Sequence, residues 1–332
     1  MISPRTKTLL KDTVVWDNHA GMPIRPGDTT FLPELDRYLS IGATIVFLNI
    51  SFDLMPWYHG FKMLATFRTW LARNSDRYIL IASVDDVYRA KKEGKLGVGF
   101  NLEGACAVDD MPELVEPYYA LGVRWMLIAY NRSNRLGGGC HDENDPGLSE
   151  FGRRVISEME RVGMVLCCTH TGYRTAREAM EYSKNPVIFS HSNPRKLRDH
   201  PRNIPDELIK ACAATDGVVN INGVGLFLGD YDVSTEAVVR HVEYVADLVG
   251  PRHVGLGLDY CFDVVGETDS FMAANPQLFP PAWGYGAGMM KTVEPERIPE
   301  IAEALLKRNW KDRDVAGLLG ENNLRVARAV WR

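Results

Sequence analysis

Apolar, β-branched runs alternate along this chain with stretches whose apolar residues recur every three or four positions. That alternation predicts βα units stacked around a parallel sheet. The predicted strands are Val14 to His19, Ala43 to Ile50, Tyr78 to Ala82, Gly97 to Glu103, Trp125 to Tyr130, Met164 to His170, Val187 to His191, Val218 to Asn222 and Val254 to Asp259. They amount to roughly eight barrel strands plus one.

Between the strands, Leu148 to Val162 sets Phe151, Val155, Ile156 and Met159 on one side, and Thr235 to Leu248 does the same with Val238, Val242, Val245 and Leu248. Both read as outer helices. Ser149 and Glu150 suit the start of the first and Gly163 its end, while Pro205 opens another over Asp206 to Ala213. A terminal helix, Asp314 to Val330, offers Leu318, Leu319, Leu324 and Val326 for burial. No linker, repeat or charge block divides the 332 residues. The pattern therefore predicts one domain, a TIM-type (β/α)8 barrel, with insertions near Tyr58 to Asn74 and Phe271 to Met289.

Five predicted strands end in a strong metal donor: His19, Glu103, His170, His191 and Asp259. In a TIM barrel the C-terminal strand ends meet at one mouth, so these side chains are expected to converge there. Imidazoles and carboxylates suit Zn²⁺ or a similar divalent ion, a glutamate can bridge two ions, and a bound water becomes nucleophilic near neutral pH. Burying five such groups without a cation would be costly. His59, His200, His241 and His253 read instead as surface or capping residues, and Cys167 and Cys168 as core. His141, in the loop Asn131 to Pro146, is a candidate substrate contact because Gly137 to Gly139 would make that loop mobile.

Composition narrows the partners. A net charge of −5 without a basic block argues against nucleic acid and favours a small-molecule substrate. Nowhere do about 18 apolar residues run together, so no membrane span is expected. The segment Met1 to Asp17 carries Arg5, Lys7, Lys11 and Asp12 and lacks the apolar core of a signal peptide. Six cysteines without a C-x-x-C pair read as reduced thiols, and a cytoplasmic protein is expected. No dinucleotide fingerprint follows Gly255-Leu256-Gly257, and no G-x-S-x-G elbow is present.

An ordered series of motifs then stands out: Asp17-Asn18-His19-Ala20-Gly21-Met22-Pro23, Leu102-Glu103-Gly104, Gly122-Val123-Arg124-Trp125-Met126 and Gly147 through Gly152. It continues with Thr169-His170, Phe189 through Asn193, Arg202 through Asp206, Gly255 through Tyr260 and Leu319-Gly320-Glu321-Asn322. Through almost its whole length the chain resembles the membrane (renal) dipeptidases, a peptidase M19-like branch of the metal-dependent amidohydrolases. The resemblance implies a two-zinc barrel enzyme in which Glu103 bridges the ions, His170 and His191 serve one, His19 and Asp259 serve the other, and Asp259 also handles protons. It further implies that Arg202 contacts the substrate, and it suggests a homodimer.

Two positions depart from the family pattern. Gly21 stands where a second aspartate is usual, and Tyr130 where a substrate-contacting histidine is common, so one or two zinc ions are expected. The function predicted is hydrolysis of a small amide or dipeptide by metal-activated water, with Asp259 and Glu103 catalytic and Arg202, Tyr130 and His141 binding substrate. The alternative is a one-metal enzyme on the same barrel acting on a lactone, ester, N-acyl compound or another non-peptide substrate, or as a lyase or isomerase.

Overall fold

The computed structural model describes residues 2–262, 267–286 and 290–332. Ten strands form one sheet: β1 (Trp16–Gly21), β2 (Ile45–Phe52), β3 (Tyr78–Leu80), β4 (Leu96–Glu103), β5 (Val123–Leu127), β6 (Val165–Cys167), β7 (Ile188–Phe189), β8 (Val218–Ile221), β9 (Val254–Leu256) and β10 (Tyr260–Cys261). Every predicted strand is present. Most are shorter than predicted, because the last residues of the apolar runs leave the ladder at the mouth.

All pairings are parallel, in the order β10-β1-β2-β4-β5-β6-β7-β8-β9. Since β9 and β10 belong to one stretch of chain, the sheet returns to its own beginning, and the fold is a TIM-type barrel. The additional strand is β3, which lies off this path and pairs only with the early part of β4, Tyr78 opposite Leu96 through Leu80 opposite Val98.

Between β9 and β10 the chain changes neighbours within three residues. The amide of Gly257 still donates to the Ile221 carbonyl of β8, whereas that of Leu258 donates to Asp17 Oδ1 and that of Asp259 to the His19 carbonyl of β1. Gly257 is required by a close approach: a Cβ there would lie 2.0 Å from the Ser190 carbonyl oxygen. Asp259 itself sits at φ +55°, in the left-handed region where aspartate is among the tolerated residues.

The barrel interior below the mouth is filled by Trp16, Ile45, Phe47, Trp125, Leu127, Val165 and Ile188, and Leu324, Val326 and Val330 of the final helix close that end. The larger cluster lies between the strands and the outer helices. Glu150–Val162 is a helix with Ser149 capping the Gly152 amide and Gly163 at its end, as the sequence predicts. Thr235–Val249 and Asp206–Ala214 are likewise helical.

Two expectations are corrected. The stretch predicted as an insertion near Tyr58 to Asn74 is a 15-residue helix, His59–Arg73, which buries Met63, Leu64, Phe67 and Leu71 at helical spacing. The terminal helix is two helices, Asp312–Ala316 and Asn322–Val330, separated by a wider π turn at Gly317–Glu321 in which Gly320 leaves helical geometry. The second predicted insertion contains the helix Glu267–Ala274, while its end at Met289 lies outside the described residues. Among the described residues no helix is long and apolar enough to cross a membrane.

Candidate metal centre

Each of the five expected donors reaches the mouth from a different part of the sheet. His19 lies on β1, where the β1–β2 register shifts between Asp17 and Ala20, breaking the two-residue alternation of inward and outward side chains. Glu103 is the last residue of β4. His170, His191 and Asp259 lie just beyond β6, β7 and β9, and His170 joins Asp259 in the left-handed region at φ +63°.

Their polar atoms converge. Glu103 Oε1 lies 3.5 Å from His19 Nε2, 3.7 Å from His170 Nε2 and 3.3 Å from His191 Nε2. His19 Nε2 is 3.3 Å from Asp259 Oδ1, and the Nε2 atoms of His170 and His191 are 3.1 Å apart. The His19 and His191 rings stack at 4.0 Å. Two donor groups, His19 with His191 and Asp259, and Glu103 with His170 and His191, each fall within 4.8 Å and share His191.

The supporting hydrogen bonds turn the free lone pairs inward. His170 Nδ1 donates to Asn131 Oδ1 at 2.6 Å, and His191 Nδ1 meets Ser190 Oγ at 2.8 Å, which leaves both Nε2 atoms facing the cluster. Asn49 Nδ2 donates to Glu103 Oε2 at 2.9 Å, and Asn222 Nδ2 to Asp259 Oδ2 at 3.0 Å. Each carboxylate thus has one oxygen tethered and the other turned toward the histidines. Outer partners of this kind fix the orientation and tautomer of ligating side chains.

Electrostatics make the cluster uncomfortable as it stands. Burial raises the Glu103 carboxyl to about 7, opposed by His19 and reinforced by Asp259. Burial also drives His170 and His191 well below the usual imidazole range, aided by the positive charge of Arg202. His19 is opposed by the same burial, yet Glu103 and Asp259 together push it up. Glu103 Oε1 is buried and has no hydrogen-bond partner. A divalent cation fits this arrangement: the donor separations are close to the roughly 3.3 Å edge of a tetrahedron with bonds of about 2.0–2.1 Å. It would supply the positive charge that the orphaned oxygen lacks.

Other expected contacts are placed differently. Arg202 is only 2% exposed, donating from Nη2 to the His191 carbonyl at 2.9 Å and from Nη1 to Ser192 Oγ at 3.3 Å, with Nε unpaired. It braces the backbone of a donor and does not line the cavity. His141 is buried as well, its Nδ1 donating to the Leu278 carbonyl at 3.0 Å and its ring packed at 4.5 Å from Trp283; burial lowers it to about 3. It stands behind Tyr285, which does line the cavity. The loop expected to be mobile is pinned, with the Gly138 amide bound to Thr175 Oγ1, that of Gly139 to Asp142 and that of Cys140 to the His170 carbonyl.

Tyr130 lines the cavity and stacks on His170 at 4.2 Å. Its backbone amide is held by Asp53, which also takes hydrogen bonds from the Cys106 amide and Asn134. Asp53 packs against Gly104, whose φ of +123° and missing side chain make room for the carboxylate. His200 and His241, read from sequence as surface or capping residues, are buried and bound to the Trp283 and Leu228 carbonyls. Cys167 and Cys168 are core. Sequence reasoning missed Asn49, Asn131, Asn222 and Ser190. Asn49 and Asn222 sit at the ends of apolar runs, the same signal that marked the donors.

The family model for membrane dipeptidase, peptidase family M19, matches residues 60–271. Over 320 residues the chain is 28% identical to dipeptidase verJ of Clonostachys rogersoniana, covering 96% of this chain and 72% of that protein. An uncharacterized dipeptidase of Schizosaccharomyces pombe is 31% identical over 222 residues, 65% of this chain, and the match spans about half, 53%, of the yeast protein. A solved amidohydrolase structure from Pseudomonas aeruginosa superposes with a TM-score of 0.86 at 30% identity, covering 98% of this chain and 99% of that one.

Proposed function

Because the chain belongs to the membrane dipeptidase family, peptidase family M19, and is therefore a hydrolase, we propose that it hydrolyses a small amide, a dipeptide or a related peptide-like compound, with zinc held by His19, Glu103, His170, His191 and Asp259. The observation that carries this reading is the orphaned Glu103 Oε1, buried among three imidazole Nε2 atoms. The sharing of His191 between the two donor groups is compatible with one ion or two. When bound, such an ion polarises the scissile carbonyl and makes a water nucleophilic near neutral pH.

The chain's own residues account for the remaining requirements. Asn49, Asn131, Asn222 and Ser190 hold the donors in register, so little reorganisation is needed as charge develops. Asp259 is the more open carboxylate, its side chain 17% exposed, and it faces the cavity. With Oδ2 anchored by Asn222, Oδ1 is the atom that takes the proton of the attacking water and returns it to the leaving amine. Tyr130, whose ring stacks on His170 and lines the cavity, offers the carbonyl oxygen a hydrogen bond from its hydroxyl in this reading.

The test is elemental analysis of the purified protein beside its Glu103→Gln variant. Wild type should hold at least one equivalent of zinc and release ninhydrin-reactive amine from peptide-like amides, and Glu103→Gln should lose both properties. Full zinc retention by that variant would defeat the assignment.

A further inference from the structure

A catalytic zinc takes three protein donors and keeps a fourth position open. One set of three donors meets that requirement by itself. Among Glu103 Oε1, His170 Nε2 and His191 Nε2 the separations are 3.7, 3.3 and 3.1 Å, close to the roughly 3.3 Å edge expected of donors on one ion. All three residues line a cavity of about 350 Å³, so an open position is available on that side.

The remaining pair, His19 Nε2 and Asp259 Oδ1, lies 3.3 Å apart and needs a third donor to hold a second ion. The group it forms borrows His191 from the first set, and a neutral imidazole has a single acceptor nitrogen, so serving one ion withdraws His191 from the other. Glu103 Oε1 is 3.5 Å from His19 Nε2, yet it is the same oxygen that faces His170 and His191, while Oε2 is drawn off by Asn49 Nδ2 at 2.9 Å. Glu103 therefore does not offer one oxygen to each of two ions. Gly21 lines the cavity without a donor, and Cys261, its partner across β1 and β10, belongs to neither donor group. The rest of the described wall adds no imidazole and no carboxylate, and away from the donors it is rich in phenylalanine and methionine: Phe52, Met55, Phe271, Met272, Phe279 and Met290.

Resting on the zinc reading above, we infer that the centre has one high-affinity metal seat, formed by Glu103, His170 and His191, and that His19 and Asp259 make a second seat one donor short. The shortfall has a chemical use. A carboxylate oxygen facing a bound cation is a weaker base, and Asp259 Oδ1, left uncommitted, keeps the basicity that its proposed proton transfers need.

The test uses zinc alone, and then manganese alone, on the full-length protein. After loading with excess zinc and desalting, elemental analysis should find one equivalent per chain. A second equivalent, titrated against a chromogenic chelator, should bind more weakly by a factor exceeding the roughly 10–100-fold that loss of an outer partner costs. The Mn²⁺-loaded protein should give the EPR spectrum of an isolated ion, without exchange coupling. Supplying the missing donor should build the second seat: in Gly21→Asp, combined with Cys261→Ala because a Cβ at position 21 would lie 3.3 Å from Cys261 Sγ, two equivalents should be retained and the manganese pair should couple. Two equivalents held alike by wild type, or a coupled manganese pair in it, would overturn the inference and leave the metal-hydrolase reading intact. No retained zinc at all would defeat that reading, and the inference with it. The wild-type measurements decide both questions whether or not the variant folds.

Discussion

Replacing Asn131 by alanine removes the single acceptor that fixes one imidazole, and its effect on the whole centre can be worked out in advance. Asn131 Oδ1 takes the Nδ1 proton of His170 at 2.6 Å, and its Nδ2 donates to the Leu278 carbonyl at 3.1 Å. Without the acceptor, His170 loses its preference for the tautomer that turns the Nε2 lone pair toward Glu103 and His191. Losing an outer partner of this kind weakens metal binding by about 10–100-fold, which corresponds to about 1.4–2.7 kcal/mol.

Asn131 also adopts φ +62°, so alanine adds roughly 1–2 kcal/mol of backbone cost. Asn131→Gly avoids that cost while still removing the acceptor. Zinc affinity, measured by competition with a chromogenic chelator, should therefore fall alike in both variants. Thermal stability of the metal-free protein should fall further for alanine. Wild-type zinc affinity in either variant would refute the argument that the Asn131 hydrogen bond sets the imidazole.

Three further outcomes are expected. Asp259→Asn should lower kcat by about 10²–10⁴ as the proton carrier is lost, while zinc analysis still finds metal at Glu103, His170 and His191; unchanged turnover would remove Asp259 from the chemistry. Gly104→Ala places a Cβ 2.1 Å from Asp53 Oδ1 at φ +123°, and because Asp53 is held by three donors the variant should lose about 3 kcal/mol or more in urea denaturation. Glu303 accepts hydrogen bonds from the Ser3 amide and from the hydroxyls of Ser3 and Thr6, which, with Lys307, hold its carboxyl down at about 2. A depressed folded-state pKa gives stability that is present above the unfolded value and lost as pH falls through the folded one. The deficit of Glu303→Gln against wild type should therefore be full at neutral pH and shrink between about 4.5 and about 2; a deficit that grows on acidification would contradict the assignment.

Much of this architecture was legible in the chain because burial on both faces leaves parallel strands with nearly continuous apolar runs. The same signal located the donors, since a histidine or carboxylate ending such a run has few places to go except the mouth. The helix His59–Arg73 was also legible, with Met63, Leu64, Phe67 and Leu71 at helical spacing, although a loop insertion was expected there. Glycine content misled at Gly137–Gly139, where the missing side chains permit close packing: a Cβ on Gly139 would meet the backbone of Asn131 and Arg132 at 2.2 Å. The burial of Arg202 and His141 could not be read from sequence. It depends on which carbonyls the surrounding loops present, here those of His191 and Leu278, and those positions follow from tertiary packing alone.

The handover of the last strand from β8 to β1 has an implication for how this scaffold can change. Three consecutive peptide groups complete the ring, and the third carries Asp259. Closure and the proton handling proposed for Asp259 therefore share one short length of backbone, so a substitution there is expected to alter architecture and reactivity together. The phenylalanines and methionines around the cavity carry no such double duty. New selectivities on this barrel are open to change along that greasy rim, while the joint itself tolerates little revision.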